Sequence, residues 1–340
     1  MENKKIYTKE VIKDKDENCA FIVRDLFSCE HKKNSKNELV PLLNGITFNI
    51  QKNDIIGISS IDRDELYILI EILGNMRSYY KGYIKLSSLG TKAKKRSLVE
   101  SIFYVDSYSM LYESMNVLEH LMYIGLIKKN KCDPGVLQKE MLDIIKATGL
   151  EKYVVSLIKD LSDNMKMIIA ILISSLSDSE KIVINAIKYI FTYEEACIID
   201  KIFKYYNDKG KTIVFASMDY KTIGMACNKV MYISNGKVQT CAPVQTIYKE
   251  WDKVTCAFKT DKPNELVSLI NLLNRNENVE CYAEGGFLYV KYIDVYKLLS
   301  ANFLQSAKNN KIEIEQIKIN SGRISNAFEE IEASINDLHK

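Results

Sequence analysis

Short apolar runs alternate with helical patterns along the first 250 residues of the chain. Residues 21–26 and 46–50 alternate apolar and polar positions, which predicts strands with one buried face. Residues 54–60 form a nearly continuous apolar run rich in β-branched residues, the pattern of a strand buried on both faces. A helical pattern over residues 65–73 follows that run directly, so we expect a strand that runs straight into a helix.

The same alternation continues downstream. We predict strands over residues 82–86, 102–105, 181–186 and 212–217, a hairpin over 231–240 that turns at Asn235-Gly236, and helices over 117–127, 136–148, 165–176 and 193–207. Buried strands that alternate with helices are typical of parallel βαβ units. The pattern therefore predicts an α/β fold with a mostly parallel sheet and an antiparallel subdomain.

The pattern changes after about residue 250. Strands are predicted over residues 253–259, 279–283, 287–292 and 312–319, helices over 264–273 and 295–305, and a terminal helix over 324–335. The order β-α-β-β-α-β is that of the ferredoxin-like split motif. We expect three segments: a polar N-terminal tail over 1–20, an α/β domain over 21–250, and a small α+β accessory domain over 251–340.

Composition and charge exclude several classes of protein. Lys and Arg number 47 against 44 Asp and Glu, a net charge of +3, which gives no indication of nucleic-acid binding. The eight cysteines and three histidines are scattered, so no metal site or disulfide framework is predicted. The longest apolar run, over residues 167–176, is shorter than the ~20 residues that cross a bilayer. These features favour a soluble protein of a reducing, cytoplasmic compartment.

The buried strand that enters a helix at residues 57–75, GISSIDRDELYILIEILGN, is the setting of a phosphate-binding loop. Further segments follow in order: YVDS at 104–107, NVLEHL at 116–121, DLSDNMK at 160–166, IVINAI at 182–187, ASMD at 216–219 and MYISNGKV at 231–238. In this order and spacing the chain resembles the ATP-binding subunit of an export-type ABC transporter. The resemblance covers roughly residues 21–240 and implies a P-loop NTPase fold.

Nearly all functional positions of that family are replaced here. In the phosphate loop, Ser60 matches the first glycine, Glu65 the last glycine, Leu66 the lysine and Tyr67 the Mg²⁺-binding hydroxyl residue. Elsewhere the resemblance matches further residues to the metal- and water-contacting glutamine, the two signature glycines, the Walker B aspartate, the catalytic glutamate and the switch histidine. These are, in that order, Ser107, Asp163 and Asn164, Asn185, Ala186, and Met218.

The replaced loop also has the wrong charge for a phosphate site. Asp62, Asp64 and Glu65 stand against Arg63 alone, and like charges 4 Å apart cost ~4 kcal/mol at an effective dielectric constant near 20. Leu66 cannot neutralise a phosphate, and Ala186 cannot orient a water molecule. We therefore expect no catalytic residue, no bound cofactor and no metal in this chain, although the family uses ATP and Mg²⁺.

Several of these residues also have plain structural interpretations. Ser162 or Asp163 is suited to cap the helix that follows, and Arg63 to form a salt bridge at a helix start. Met218 is expected to be a core or interface residue, and His120 to lie on a helix surface.

Three functions stay open from the sequence. The first is a pseudo-ATPase that pairs with a competent ABC subunit and a multi-span membrane permease, on the inner face of the cell membrane. By the resemblance, the segment around residues 107–121 would meet the permease. The second is a divergent but active ABC ATPase that energises export. The third is a regulatory or scaffold protein that has left transport.

Overall fold

The computed structural model describes residues 18–33, 37–86, 101–128, 133–247, 254–273, 279–284, 287–291 and 298–319, together with 327, 328 and 331. The chain divides into two compact units, residues 1–242 and 243–340. Most of the predicted tail over 1–20 and most of the terminal helix over 324–335 lie outside the described residues. The three segments expected from the sequence, and the two boundaries between them, stay predictions.

The first unit contains eleven strands within its described residues. They are β1 Cys19–Phe27, β2 His31–Lys33, β3 Leu39–Pro41, β4 Asn44–Gln51, β5 Ile55–Ser60, β6 Lys81–Leu86, β7 Ile102–Val105, β8 Lys181–Asn185, β9 Thr212–Ala216, β10 Lys229–Ser234 and β11 Lys237–Pro243. Its helices are α1 Arg63–Leu73, α2 Val117–Lys128, α3 Pro134–Thr148, α4 Asp163–Ile173, α5 Tyr193–Asp208 and α6 Tyr220–Ala226.

A six-stranded sheet in the order β11-β10-β5-β9-β8-β7 forms the centre of this unit. The pairs β10–β5, β5–β9, β9–β8 and β8–β7 are all parallel. Every residue of β5, β8 and β9 is buried, as their continuous apolar patterns require. Because these strands are parallel neighbours, their carboxyl ends meet at one edge of the sheet.

A second sheet, β4-β1-β6, is antiparallel and lies over α1. One hydrophobic core includes Phe21 and Phe48 of this sheet, Leu66 and Leu69 of α1, and Ile58 of the parallel sheet. The short strands β2 and β3 pair separately, with Lys32 opposite Val40. The predicted α/β fold with a parallel sheet and an antiparallel subdomain is thus confirmed.

The second unit contains α7 Val244–Ile247, β12 Val254–Thr260, α8 Pro263–Leu273, β13 Glu280–Glu284, β14 Phe287–Lys291, α9 Ala301–Asn309 and β15 Ile314–Ile319. Its antiparallel strands have the order β13-β14-β12-β15, the arrangement expected of a ferredoxin-like split motif. Phe258 of β12 and Phe303 of α9 meet in its core with ring centroids 5.5 Å apart. The helix predicted over 295–305 differs from α9, which begins at Ala301 because Ser300 has an extended backbone and its side chain caps the helix by accepting from the Phe303 N–H. Residues 292–297 lie outside the described residues.

No helix in the described part of the chain is long and apolar enough to span a bilayer.

The predicted hairpin at Asn235-Gly236 joins β10 to β11, with φ values of 52° and 70° at the two residues. Left-handed backbone of this kind is the geometry that Asn-Gly favours. The carbonyl oxygen of Gly236 accepts from the Asn44 N–H at 2.9 Å, so the turn also holds β4. A Cβ on Gly236 would lie 2.6 Å from the carbonyl oxygen of Leu42.

We expect Gly236→Ala to lower the free energy of unfolding by about 3 kcal/mol, because it combines a left-handed φ with a backbone clash. Gly210→Ala is the matched control, since Gly210 has a φ of 75° but an added Cβ would meet nothing closer than Asn53 Oδ1 at 3.8 Å. There we expect a loss of about 1 kcal/mol. Urea denaturation of both variants measures the difference, and equal losses would contradict the role given to the turn.

Candidate functional site

The loop between β5 and α1 is closed by its own side chains. Asp62 is the N-cap of α1, and its Oδ1 accepts from the N–H groups of Asp64 at 3.0 Å and Glu65 at 3.4 Å. The Asp62 N–H in turn donates to Ser60 Oγ at 3.0 Å. Free N–H groups at a helix start are what an anion binds, and here a carboxylate of the chain already accepts from two of them.

A lysine from β2 completes this arrangement. Lys32 Nζ donates to Asp62 Oδ2 at 2.7 Å and also to Glu65 Oε1. The same oxygen of Glu65 accepts from the Gly236 N–H at 3.0 Å. Glu65 is fully buried, whereas Lys32 keeps 29% of its side chain exposed. The ion-paired cluster of Lys32, Asp62 and Glu65 therefore joins β2, α1 and the β10–β11 turn.

The environment changes the ionisation of all three groups. Burial raises the pKa of Glu65 despite the opposing effect of Lys32. Burial acts against the charged forms of Lys32 and Asp62 as well, but their mutual hydrogen bond and charges prevail. The pKa of Lys32 is raised and that of Asp62 is lowered. Both partners of the Lys32–Asp62 pair are thus held in their charged forms.

The next two loop positions belong to the core. Leu66 is fully buried in the hydrophobic core under the antiparallel sheet, and Tyr67 packs against the same core. Burial and a hydrogen bond with Glu71 raise the pKa of the Tyr67 hydroxyl. Neither residue places a positive charge beside the loop.

The carboxyl ends of β8 and β9 carry neutral groups at the matched positions. Asn185 is buried, and its Nδ2 donates to the Tyr104 hydroxyl at 3.2 Å. Ala186 is buried and its N–H donates to the Ala216 carbonyl at 2.9 Å. Met218 is half-buried against the hydrophobic core, as the sequence predicts. Asp219 is a carboxylate close to these residues, and it is the N-cap of α6.

A second group of matched residues surrounds Tyr108. Its hydroxyl donates to Asp163 Oδ1 at 2.8 Å, and Lys166 Nζ lies 5.5 Å from its ring centroid. Ser162 Oγ accepts from the Met165 N–H at 3.2 Å, so Ser162, of the two candidates, caps α4. Close by in sequence, Ser107 Oγ and Ser109 Oγ share a hydrogen bond of 2.9 Å.

Asn164 belongs to a separate local contact. Its Nδ2 donates to the Ile190 carbonyl at 2.7 Å and to Glu195 Oε2 at 3.0 Å. That glutamate is also part of the capping box of α5. The two residues that match the signature glycines thus hold neighbouring segments of the unit together.

The matched residues therefore fall into two groups. At one edge of the sheet, the ends of β5, β8 and β9 and the start of α1 carry Ser60, Glu65, Leu66, Tyr67, Asn185, Ala186 and Met218. The start of α4 carries Asp163 and Asn164, and Ser107 lies in the loop before α2, next to the Tyr108 that contacts Asp163.

Three details differ from the sequence analysis. Lys32 was not predicted as part of the site, since it lies 30 residues before Asp62 on a strand with no diagnostic pattern. Arg63, expected in a helix-start salt bridge, is exposed, and Lys32 supplies the cation to the acidic residues of the loop.

The expectation that His120 lies on a helix surface is wrong. His120 is fully buried, its ring packs edge-on against Tyr112 with centroids 5.6 Å apart, and neither ring nitrogen has a hydrogen-bond partner within the described chain. Burial lowers its pKa, so the ring is neutral at pH 7. The burial of His120 could have been predicted from the sequence, because α2 is apolar on nearly all sides (VLEHLMYIGLIK).

No protein-family model matches the chain. It is 23% identical over 250 residues to the teichoic acids export ATP-binding protein TagH of Staphylococcus saprophyticus. The match covers 72% of this chain and 87% of that relative. The protein of the same name from Levilactobacillus brevis is 34% identical over 74 residues, 22% of this chain and 20% of the relative.

Solved structures agree in fold. CbiO1 of Clostridium perfringens, part of the ABC transporter complex cbiONQ, has a TM-score of 0.56 at 17% identity and covers 76% of this chain and 97% of its own. The dimeric ATP-binding cassette MJ0796, bound to ADP and Pi, has a TM-score of 0.51 at 16% identity and covers 66% and 98%. The chain has the ABC ATPase fold. The resemblance to ABC transporter ATP-binding subunits is confirmed.

These comparisons overturn one expectation. The sequence predicts no cofactor, but the relatives are ATP-binding proteins and one structural neighbour is bound to ADP and Pi. The expectation of no cofactor is therefore wrong. The replaced residues bear on how this chain binds a nucleotide and on whether it hydrolyses one.

As they stand, the loop residues do not fit the phosphates of ATP. The N–H groups of Asp64 and Glu65 donate to Asp62, and the ammonium of Lys32 is paired with two carboxylates. The described residues also include no group of three or more His, Cys, Asp or Glu side chains placed to hold a metal ion. No reaction step through ATP can be derived from this arrangement.

We expect Lys32→Met to lower the free energy of unfolding by about 2–3 kcal/mol at pH 7, because it leaves Glu65 buried without its cation. The partial exposure of Lys32 places the loss at the low end of the range for buried pairs. Lys33→Met, on the exposed side of the same strand, is the control and should change stability by less than about 0.5 kcal/mol.

The same variant should show a pH dependence with a definite sign. A carboxyl with a raised pKa favours folding while it is protonated and loses that contribution as the pH rises. Without Lys32 the pKa of Glu65 rises further, so the deficit of the variant should grow from about pH 4 to pH 8. Denaturation curves across this range measure it, and a deficit that shrinks with rising pH would contradict the pairing.

Proposed function

We propose that the chain is the ATP-binding-cassette subunit of a membrane transporter and that it does not hydrolyse ATP at its own catalytic positions. One observation carries this proposal: the carboxyl end of β8, where the family has its Walker B aspartate and catalytic glutamate, has the buried neutral residues Asn185 and Ala186. Hydrolysis needs a group that holds the metal and a group that orients the attacking water. An amide that donates to Tyr104 and a methyl group supply neither.

The phosphate loop supports the same conclusion. The position of the family's lysine is Leu66, whose side chain is fully buried in the core and cannot reach a phosphate. Lys32 brings a cation to this place, but its ammonium is paired with Asp62 and Glu65. The charge that develops during phosphoryl transfer would therefore meet no cation at the family's lysine position, and the Lys32 ammonium beside it is already paired.

In this proposal, ATP and Mg²⁺ are the cofactor of the assembled transporter. A second, competent ABC subunit supplies the catalytic groups, and this chain pairs with it. The dimeric cassette among the structural neighbours and the loss of catalytic groups here support such a pairing. The assembly would lie on the inner face of the cell membrane with a multi-span permease.

The surface around α2 supports contact with a permease. Tyr112, Tyr123, Leu126 and Ile127 are exposed, and the rings of the two tyrosines meet edge-on with centroids 5.3 Å apart. Helices that are apolar on all sides are normally covered on all sides. The segment predicted from the family resemblance, residues 107–121, enters this same surface. The names of the curated relatives support export as the direction of transport.

We expect the tagged full-length chain, expressed in its own cell, to copurify from detergent-solubilised membranes with a multi-span membrane protein and a second ABC subunit. A chain that is recovered without either partner would contradict the assignment to transport.

We expect the purified chain alone to release phosphate from Mg-ATP at least 1,000-fold more slowly than an intact ABC ATPase measured beside it. Loss of the catalytic groups removes transition-state stabilisation of this order or more. The variant Asn185→Ala distinguishes phosphate release by this chain from phosphate release by a contaminating ATPase. Residual phosphate release that is the same in the variant comes from elsewhere, whereas release that the variant abolishes would show an active site and contradict the proposal.

A further inference from the structure

His120, in the first turn of α2, is a buried polar residue whose hydrogen-bonding groups are not used. Its side chain is fully buried, and neither ring nitrogen has a hydrogen-bond partner within the described part of the chain. A neutral imidazole has one N–H donor and one bare nitrogen that accepts, so both groups lack compensation here. Buried polar groups without a partner are uncommon and costly in folded proteins. An apolar side chain would therefore suit the packing of this position better.

The imidazole lies beneath exposed aromatic rings. Tyr112 packs edge-on against His120 with ring centroids 5.6 Å apart, and against Tyr123 with centroids 5.3 Å apart. Tyr112 is 49% exposed and Tyr123 37%. The carbonyl oxygen of Tyr112 accepts from the Met115 N–H at 3.1 Å, which holds the backbone in place. A rotation of the Tyr112 side chain would thus uncover His120 without a change in the backbone.

The charge beside these rings is negative. Glu119 is exposed on α2, and its Oε2 accepts from the Asn116 N–H at 2.9 Å. It lies four residues before Tyr123, and residues four apart share one face of a helix. Tyrosine rings attract cations to their faces, and a bare imidazole nitrogen accepts from a cationic donor. The surface therefore suits a positively charged group, whereas Glu119 would repel a carboxylate.

We propose that the α2 surface binds an arginine or lysine side chain of a cytoplasmic permease segment, which donates to His120 and pairs with Glu119 once the Tyr112 ring turns aside. That a permease is the partner rests on the proposed function. Cytoplasmic loops of membrane proteins carry an excess of Lys and Arg, so segments of this chemistry face the cytoplasmic side of the membrane. Leu126 and Ile127 are exposed on the following turns of α2 and would contact apolar residues of the same segment.

Two variants and a control separate this recognition from a purely structural role. His120→Leu removes both ring nitrogens and keeps an apolar side chain under Tyr112. Glu119→Gln removes the negative charge, while the glutamine oxygen still accepts from the Asn116 N–H. Asp143→Asn is the matched control, since it removes one negative charge at an exposed position of α3.

The first measurement uses the purified chain without any partner. We expect His120→Leu to raise the midpoint of urea denaturation, because it removes two buried polar groups that have no partner. Glu119→Gln and Asp143→Asn should leave the midpoint unchanged. A midpoint of His120→Leu that does not rise would show that the imidazole serves the fold, and it would overturn the proposal.

The second measurement is the amount of permease that copurifies with each tagged full-length chain from detergent-solubilised membranes. We expect it to fall about tenfold for His120→Leu and for Glu119→Gln, as the loss of a hydrogen bond to a charged group predicts, and to stay unchanged for Asp143→Asn. Unchanged recovery in either variant, or an equal loss in the control, would overturn the proposal.

The two levels of inference can fail separately. If the wild-type chain recovers no permease, the proposed function is wrong and this inference falls with it. If the wild-type chain and His120→Leu recover the same amount of permease, the proposed function stands and this inference alone is wrong.

Discussion

The buried carboxylate of Glu65 is the constraint on which the loop region depends. A carboxylate without contact to water must be paired and hydrogen-bonded; Lys32 and the Gly236 N–H both bind Glu65 Oε1, whereas the buried Oε2 has no hydrogen-bond partner within the described residues. These two partners come from a separate strand and from a hairpin turn. One side chain on the first turn of α1 therefore fixes the positions of β2 and of the turn between β10 and β11.

This chain keeps the strand arrangement of ABC ATPases although the residues at the catalytic positions are replaced. Strands β5, β8 and β9 bring their carboxyl ends to one edge, as in ABC ATPases, because their apolar side chains fill the core on both faces. The polar residues at that edge contact each other or the backbone instead: Asp62 caps its own helix, and Asn185 donates to Tyr104. Local contacts of this kind stabilise the fold without leaving groups free for catalysis.

The fold could be predicted from the sequence to a considerable extent. Continuous β-branched runs predicted the buried parallel strands, the Asn-Gly pair predicted the hairpin turn, and the strand and helix order after residue 250 predicted the antiparallel order of the second unit. These features are local in sequence or periodic, so each is visible within a short window. Ser162 as a helix cap belongs to the same class.

The site was less predictable because its contacts join distant parts of the chain. Lys32 lies on a three-residue strand with no apolar pattern, and nothing in the sequence indicates that it meets Asp62 and Glu65. The pairing of Asn164 with Glu195 is equally non-local. His120 could have been predicted as buried from the apolar helix around it. The expectation of no cofactor was wrong because it inferred a loss of nucleotide binding from the loss of catalytic groups. Binding and catalysis are separate properties.

A double-mutant cycle on Lys32 and Glu65 tests the central interaction most directly. The free energy of unfolding is measured for the wild type, Lys32→Met, Glu65→Gln and the double variant. If Lys32 compensates the buried carboxylate, the coupling free energy should be about 2 kcal/mol or more in favour of the pair, in the range measured for close charge pairs. A coupling below about 0.5 kcal/mol would show that the two residues act independently and would contradict the role given to Glu65 here.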